Sequence, residues 1–229
     1  MSRNLTALLA CGLIAATAAA AVGSVATADT VPEWSDAPTI ADIAAAYPTR
    51  AKAAKVSGHV QLTCEVGRDN HPRLCEALVE KPSGYGFGAA ARKLAEKLTV
   101  AQAGMVGQNI FVPVNFDAGV LNGTADVKPS WATLPSVTDF QASFPKTENG
   151  VNHVRVVLGC TVEAGGALGG CAVVQEDPPG QGYGAGALAL ASKFRVQPWG
   201  PDGQASVGAH IQVPIRYELT PAPAATPKS

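Results

Sequence analysis

Positive charge is scarce in this 229-residue chain, where 17 Lys and Arg stand against 18 Asp and Glu. Nucleic-acid binding needs a basic face, so no nucleic-acid partner is expected. The chain has no Cys-x2-Cys pair, and His59, His71, His153 and His210 do not recur together beside its cysteines. That speaks against a redox or zinc site. No Ser/His/Asp set, paired-carboxylate motif or phosphate loop stands at a recognisable spacing. Gly84, Gly86 and Gly88 mimic a glycine-rich loop, but they lack the phosphate-binding lysine and follow a hairpin pattern. The chain is therefore not expected to be an enzyme, with no catalytic residue, metal or small-molecule cofactor.

Charge is also missing at the start, where Arg3 is the only charged residue before Asp29. Leu5 to Val22 is an apolar, Ala-rich run, and Ala26-Thr27-Ala28 supplies an Ala-x-Ala cleavage site. Residues 1–28 thus read as a secretory signal peptide cleaved after Ala28. The competing reading is an uncleaved membrane anchor. Leu8-Leu9-Ala10-Cys11 also resembles a lipobox, although the apolar stretch before Cys11 is very short. Export places the four remaining cysteines in an oxidising compartment, where structural disulfides persist.

What the chain does have, it has twice. Trp34, Pro38, Thr39, Asp42, Tyr47 and Pro48 return as Trp131, Pro135, Ser136, Asp139, Phe144 and Pro145. From Cys64 to Val100, a gapless match at an offset of 96 gives 14 identities in 37 positions. Cys64 and Cys75 return as Cys160 and Cys171. Farther on, the stretch from Asn109 falls on the stretch from His210. A repeat of this length is a whole small domain. Residues 34–117 and 131–219 are the expected domains, 118–130 the linker, and 220–229 a disordered Pro/Ala tail. Four cysteines allow three pairings. Duplication favours one bridge within each copy, Cys64–Cys75 and Cys160–Cys171.

Each copy reads as α-β-β-α-β. Thr39 with Asp42, and Ser136 with Asp139, have the spacing of a helix-capping pair, and Tyr47-Pro48 and Phe144-Pro145 stop the helix. Val60, Leu62, Cys64 and Val66 alternate with polar residues, as do Val156, Leu158, Cys160 and Val162. With Cys64 opposite Cys75, Leu62 is expected to face Ala77 and Val60 to face Val79. Phe87, Ala91, Leu94 and Leu98 share a helical stripe, as do Tyr183, Ala187, Leu190 and Phe194. Glu80 and Glu176 recur at the strand end, where a lone carboxylate is solvated or caps a neighbour. A third strand closes each copy with a proline inside it, which suits an edge strand. The expected fold class is α+β, with two tandem modules of a three-stranded antiparallel sheet and helices on one face.

These residues together resemble a known family. Tyr47-Pro48, the strand through Val66, Ser83-Gly84-Tyr85-Gly86-Phe87, the Ala-rich helix and Phe111-Val112-Pro113-Val114-Asn115-Phe116 look like the TonB C-terminal domain. In the second copy, Lys193 to Pro198 and Gln212 to Tyr217 resemble that family's helix exit and last strand. The likeness runs from Trp34 to Tyr217, as a duplicated, cysteine-paired variant. It implies a periplasmic domain that takes up a short extended segment of an outer-membrane receptor as an added strand. By position, the candidate docking strands are Asn109, Ile110, Phe111, Val112, Pro113, Val114, Asn115 and Phe116, and His210, Ile211, Gln212, Val213, Pro214, Ile215, Arg216 and Tyr217.

The chain lacks the long Pro/Glu/Lys-rich spacer of the full transducer and any polar residue such as His in its N-terminal segment to couple to a motor. The expected function is a periplasmic TonB-like interaction protein whose partners are outer-membrane receptor or other envelope protein segments. The alternatives are a short anchored energy transducer for outer-membrane transport and a purely structural envelope protein. The second copy's last strand is the expected docking edge, because the first copy's leads into the linker, where the second copy can cover it. A proline at Ile215 would remove an amide from that strand.

Overall fold

A computed structural model describes residues 32–143 and 153–218. The cleavage site at Ala28, the helix stop at Phe144-Pro145 and the Pro/Ala tail lie outside the described residues. The fold is α+β. Its first half runs β1 (Trp34–Asp36), α1 (Ile40–Ala46), α2 (Thr49–Ala54), β2 (Gly58–Val66), β3 (Pro72–Lys81), α3 (Phe87–Ala95), β4 (Thr99–Val100) and β5 (Asn109–Phe116). The second runs β6 (Trp131–Thr133), α4 (Val137–Ser143), β7 (His153–Val162), β8 (Leu168–Asp177), α5 (Tyr183–Ala191), β9 (Arg195–Val196) and β10 (His210–Glu218). Two antiparallel three-stranded sheets form, in the orders β3-β2-β5 and β8-β7-β10. Small pairs β1-β4 and β6-β9 flank them.

Alternation in β2 and β7 sets the cores. Val60, Leu62, Cys64 and Val66 are buried with Phe87, Ala91, Leu94 and Leu98 of the helical stripe. Val154, Val156, Leu158, Cys160 and Val162 are buried with Tyr183, Ala187, Leu190 and Phe194. Thr39 caps α1: its Oγ1 accepts from the Asp42 amide while the Asp42 carboxylate accepts from the Thr39 amide. Ser136 and Asp139 repeat the pair ahead of α4. Lys97 and Lys193 sit beside these carboxylates. With their hydrogen bonds, chiefly from Lys97 at Asp42 and from Ser136 at Asp139, they hold both acids below the usual carboxylate range.

Tyr47-Pro48 ends α1 as expected, but Pro48 then opens a second short helix, α2, which the sequence reading did not include. Proline's fixed φ suits a helix start, and Lys55 in the left-handed region ends this one. The segment 118–130 is likewise more than a spacer. It starts with a 3-10 turn, Ala118–Leu121, and packs Val120 and Leu121 on the first core and Val127 on the second.

Both cysteine pairs form disulfides across their hairpins, Cys64–Cys75 and Cys160–Cys171. Leu62 faces Ala77, but Val60 faces Glu80 and Gln61 faces Val79. The expected Val60–Val79 pairing is corrected by a bulge that leaves Leu78 as the extra residue. Val174 is its counterpart, between Val173 opposite Leu158 and Gln175 opposite Val157. Cross-strand partners share a face, so the slip turns Glu80 and Glu176 toward the helix side and leaves Leu78 and Val174 exposed.

The helix side is where those carboxylates are needed. The residues before α3 and α5, Gly86 and Gly182, have φ of 91° and 83° and offer no side-chain cap. Glu80 Oε1 accepts from the amides of Gly86 and Phe87 at 3.2 and 3.0 Å, and Glu176 Oε1 from that of Tyr183 at 2.9 Å. Each acid therefore caps a helix from a neighbouring strand, at the positive end of the helix dipole. Glu80→Ala is expected to lower stability by about 1–2 kcal/mol, with Glu80→Gln recovering part of it. Urea unfolding checks this, and an unchanged midpoint for Glu80→Ala would remove the cap from the account.

Candidate docking edges

Each sheet has two edges, and they differ in quality. β3 and β8 each carry two irregularities, at Leu78 and beside Cys75 in one, at Val174 and beside Cys171 in the other. Bulges break the row of backbone groups that an added strand would read. β5 and β10 are regular. β5 pairs with β2 from Gly58–Phe116 to Glu65–Asn109, and β10 with β7 from His210–Thr161 to Glu218–His153, both without a shift. These are the two candidate strands of the sequence reading.

Their phase follows from bonds at their starts. In β10 the Gly208 amide donates to Val162 C=O, and Ala209 C=O accepts from the Val162 amide. Alternation then turns the backbone of Ile211, Val213 and Ile215 toward β7, and that of His210, Gln212, Pro214 and Arg216 outward. Pro214 thus stands where its missing amide leaves no gap in the ladder. The side chains of Ile211, Val213, Ile215 and Tyr217 are buried under the helix side, and burial pushes the Tyr217 phenol above its ordinary pKa. The Ile215 amide serves the sheet, so a proline there would damage the fold rather than probe the outer edge. The outer edge is therefore probed at an outward residue and not, as expected from the sequence, at Ile215.

The same phase holds in β5, where Ile110, Val112, Val114 and Phe116 are buried and Asn109 and Phe111 are exposed. The outward groups of Pro113 and Asn115 are already engaged. Trp199 Nε1–H donates to Pro113 C=O at 3.1 Å, and the Asn115 amide donates to Gly203 C=O at 2.9 Å. Trp199 is only 1% exposed and belongs, with Ala205, to the first half's core. Gly203, at φ 80°, lies so close that an added Cβ would fall 2.4 Å from the Pro113 backbone. The Ile40 amide closes the contact on Val207 C=O at 2.9 Å.

This seal has a simple origin. Val100 and Val196 are 96 apart, whereas Asn109 and His210 are 101 apart, so the second connection is longer by five residues. The added length carries Trp199-Gly200-Pro201-Asp202-Gly203, folded as a turn with Gly200 N–H on Gln204 C=O. The sequence led us to expect the second copy to cover this strand but not to expect the Trp199 loop that does so, although the change of offset beside a Trp- and Gly-rich stretch marks its place. Among the described residues, no hydrogen bond links the shorter connection between β4 and β5 to the second half. Among the described residues, no hydrogen bond from another element reaches the outward backbone of β10 between His210 and Arg216.

Among the described residues, no group of three or more His, Cys, Asp or Glu is placed to hold a metal ion. No helix among them is long and apolar enough to cross a membrane. No protein-family model matches the chain. An uncharacterized protein of Caulobacter vibrioides is 40% identical over 63 residues, which make up 28% of this chain and 63% of that relative. The match thus covers less than two thirds of the relative's length.

Proposed function

We propose that the chain is a tandem of two α-β-β-α-β modules of the TonB C-terminal type, exported to the periplasm. In this reading it binds an extended segment of an outer-membrane receptor or other envelope protein as an added strand on β10. The observation that supports this is the contrast between two equivalent edges: β5 is engaged by the Trp199 loop, and β10 is regular and open among the described residues. An exposed row of backbone donors and acceptors is a template for pairing, so a chain that seals one edge and leaves its counterpart open has a use for the open one.

Gln212→Pro tests it. This proline deletes an outward amide in the same phase as the native Pro214 and spares the bonds to β7. The variant is expected to keep the wild-type circular dichroism and to bind short synthetic receptor segments about tenfold more weakly in fluorescence anisotropy. A folded Gln212→Pro protein that binds them as wild type does would refute strand addition at this edge. If neither protein binds any envelope segment, the purely structural reading replaces this one.

A further inference from the structure

The outer face of the β8-β7-β10 sheet carries an unusual row. Arg216 of β10 pairs directly with Arg155 of β7, which in turn faces Asp177 of β8. Like charges opposite one another on a sheet are destabilising. The equivalent row of the first sheet, Asn115, His59 and Lys81, has no such arginine pair. Both arginines are exposed and, with His153 and Asp177, line a cleft of about 150 Å³. The ion pairs among the described residues join other groups, and neither guanidinium has a hydrogen-bond partner among them.

The seal on β5 shows where a docked backbone meets this row. Gly203 C=O takes the Asn115 amide, and the equivalent amide on the open edge, 101 residues on, is that of Arg216. A strand added to β10 therefore accepts its backbone bond beside Arg216, one strand away from Arg155, whose side chain lines the same cleft. Two planar, permanently charged forks side by side suit a carboxylate, which can take paired N–H bonds from either. We propose that the segment taken up by β10 is acidic and seats an Asp or Glu carboxylate between Arg155 and Arg216. This specificity rests on the docking reading above.

A random peptide library displayed on phage, panned against the full exported chain, provides the probe. The expected result is enrichment of peptides with an acidic residue at one fixed position. The selected peptide should bind the Arg155→Gln/Arg216→Gln variant about tenfold more weakly and with a flatter salt dependence. Arg216→Lys should fall between the two proteins. Folding of the double variant is checked by circular dichroism, and loss of the like-charge pair is expected to leave its Tm no lower than wild type. Enriched peptides without acidic preference, bound equally by the double variant but weakened by Gln212→Pro, would overturn the carboxylate site and leave edge docking standing. Peptides indifferent to Gln212→Pro, or no enrichment at all, would overturn both.

Discussion

Replacing Trp199 by alanine is expected to destabilise the chain by about 3–5 kcal/mol and to lower its Tm by roughly 10 °C. The indole is the largest fully buried side chain among the described residues, and it belongs to the core of the first half although it lies in the second. Its removal leaves a cavity and strands the Pro113 carbonyl that Nε1 satisfies. The loss should also spread along β5. With the loop released, the Asn115 amide loses Gly203 C=O and should exchange with solvent hydrogen markedly faster. Calorimetry and amide exchange read the two effects separately. An unchanged Tm, or Asn115 protection equal to wild type, would mean that the loop does not hold the two halves together.

The disulfides carry the second large effect. Replacing Cys64 and Cys75 together by alanine is expected to lower stability by about 2–4 kcal/mol, and replacing Cys160 and Cys171 by a similar amount. Each bridge spans a sequence separation of 11 within a hairpin. Its contribution therefore comes mainly from restricting the unfolded chain rather than from adding order to a ladder already formed. Cys64 and Cys160 are buried on the helix side, so their loss also thins the packing beneath α3 and α5. The bridges lie in different sheets, and their effects should add. Urea unfolding of the two double variants and the quadruple variant tests this. A midpoint unmoved by either pair, or a quadruple loss well short of the sum, would contradict it.

Much of the local architecture was legible because it is written at short range. The alternation of Val60, Leu62, Cys64 and Val66 specifies a strand with one buried face. The Thr39–Asp42 and Ser136–Asp139 spacings specify capped helices, because both partners lie within one turn. The cysteine pairing was legible for another reason: duplication places Cys64 with Cys75 and Cys160 with Cys171, and hairpin geometry brings each pair together. The α2 helix escaped because a proline that stops one helix is also well suited to start the next.

Strand pairing was only partly legible. A one-residue slip leaves each strand's own pattern intact while changing which partner side chain shares its face. Val79 was a reasonable apolar partner for Val60, yet the bulge at Leu78 puts Glu80 there instead. The requirement that decides between them lies beyond the hairpin, at the start of α3, where Gly86 has no side chain to cap the helix and Glu80 takes the amides of Gly86 and Phe87. The repeated Glu at 80 and 176 carried that information, but its meaning depends on a helix end that only the fold brings within reach.

By itself, the sequence determined a duplicated, disulfide-bridged α+β chain with two proline-containing last strands, because periodicity, capping and repetition are properties of neighbouring residues. The order of the copies already favoured the second of those strands as the open one, but only the tertiary structure decided which segment closes the first. The Trp199 loop reaches back over more than eighty residues to close β5 at Pro113 and Asn115, while β10 keeps its outward amides clear among the described residues. Edge closure is a contact between distant backbone groups, and no local pattern encodes which distant segment will supply it.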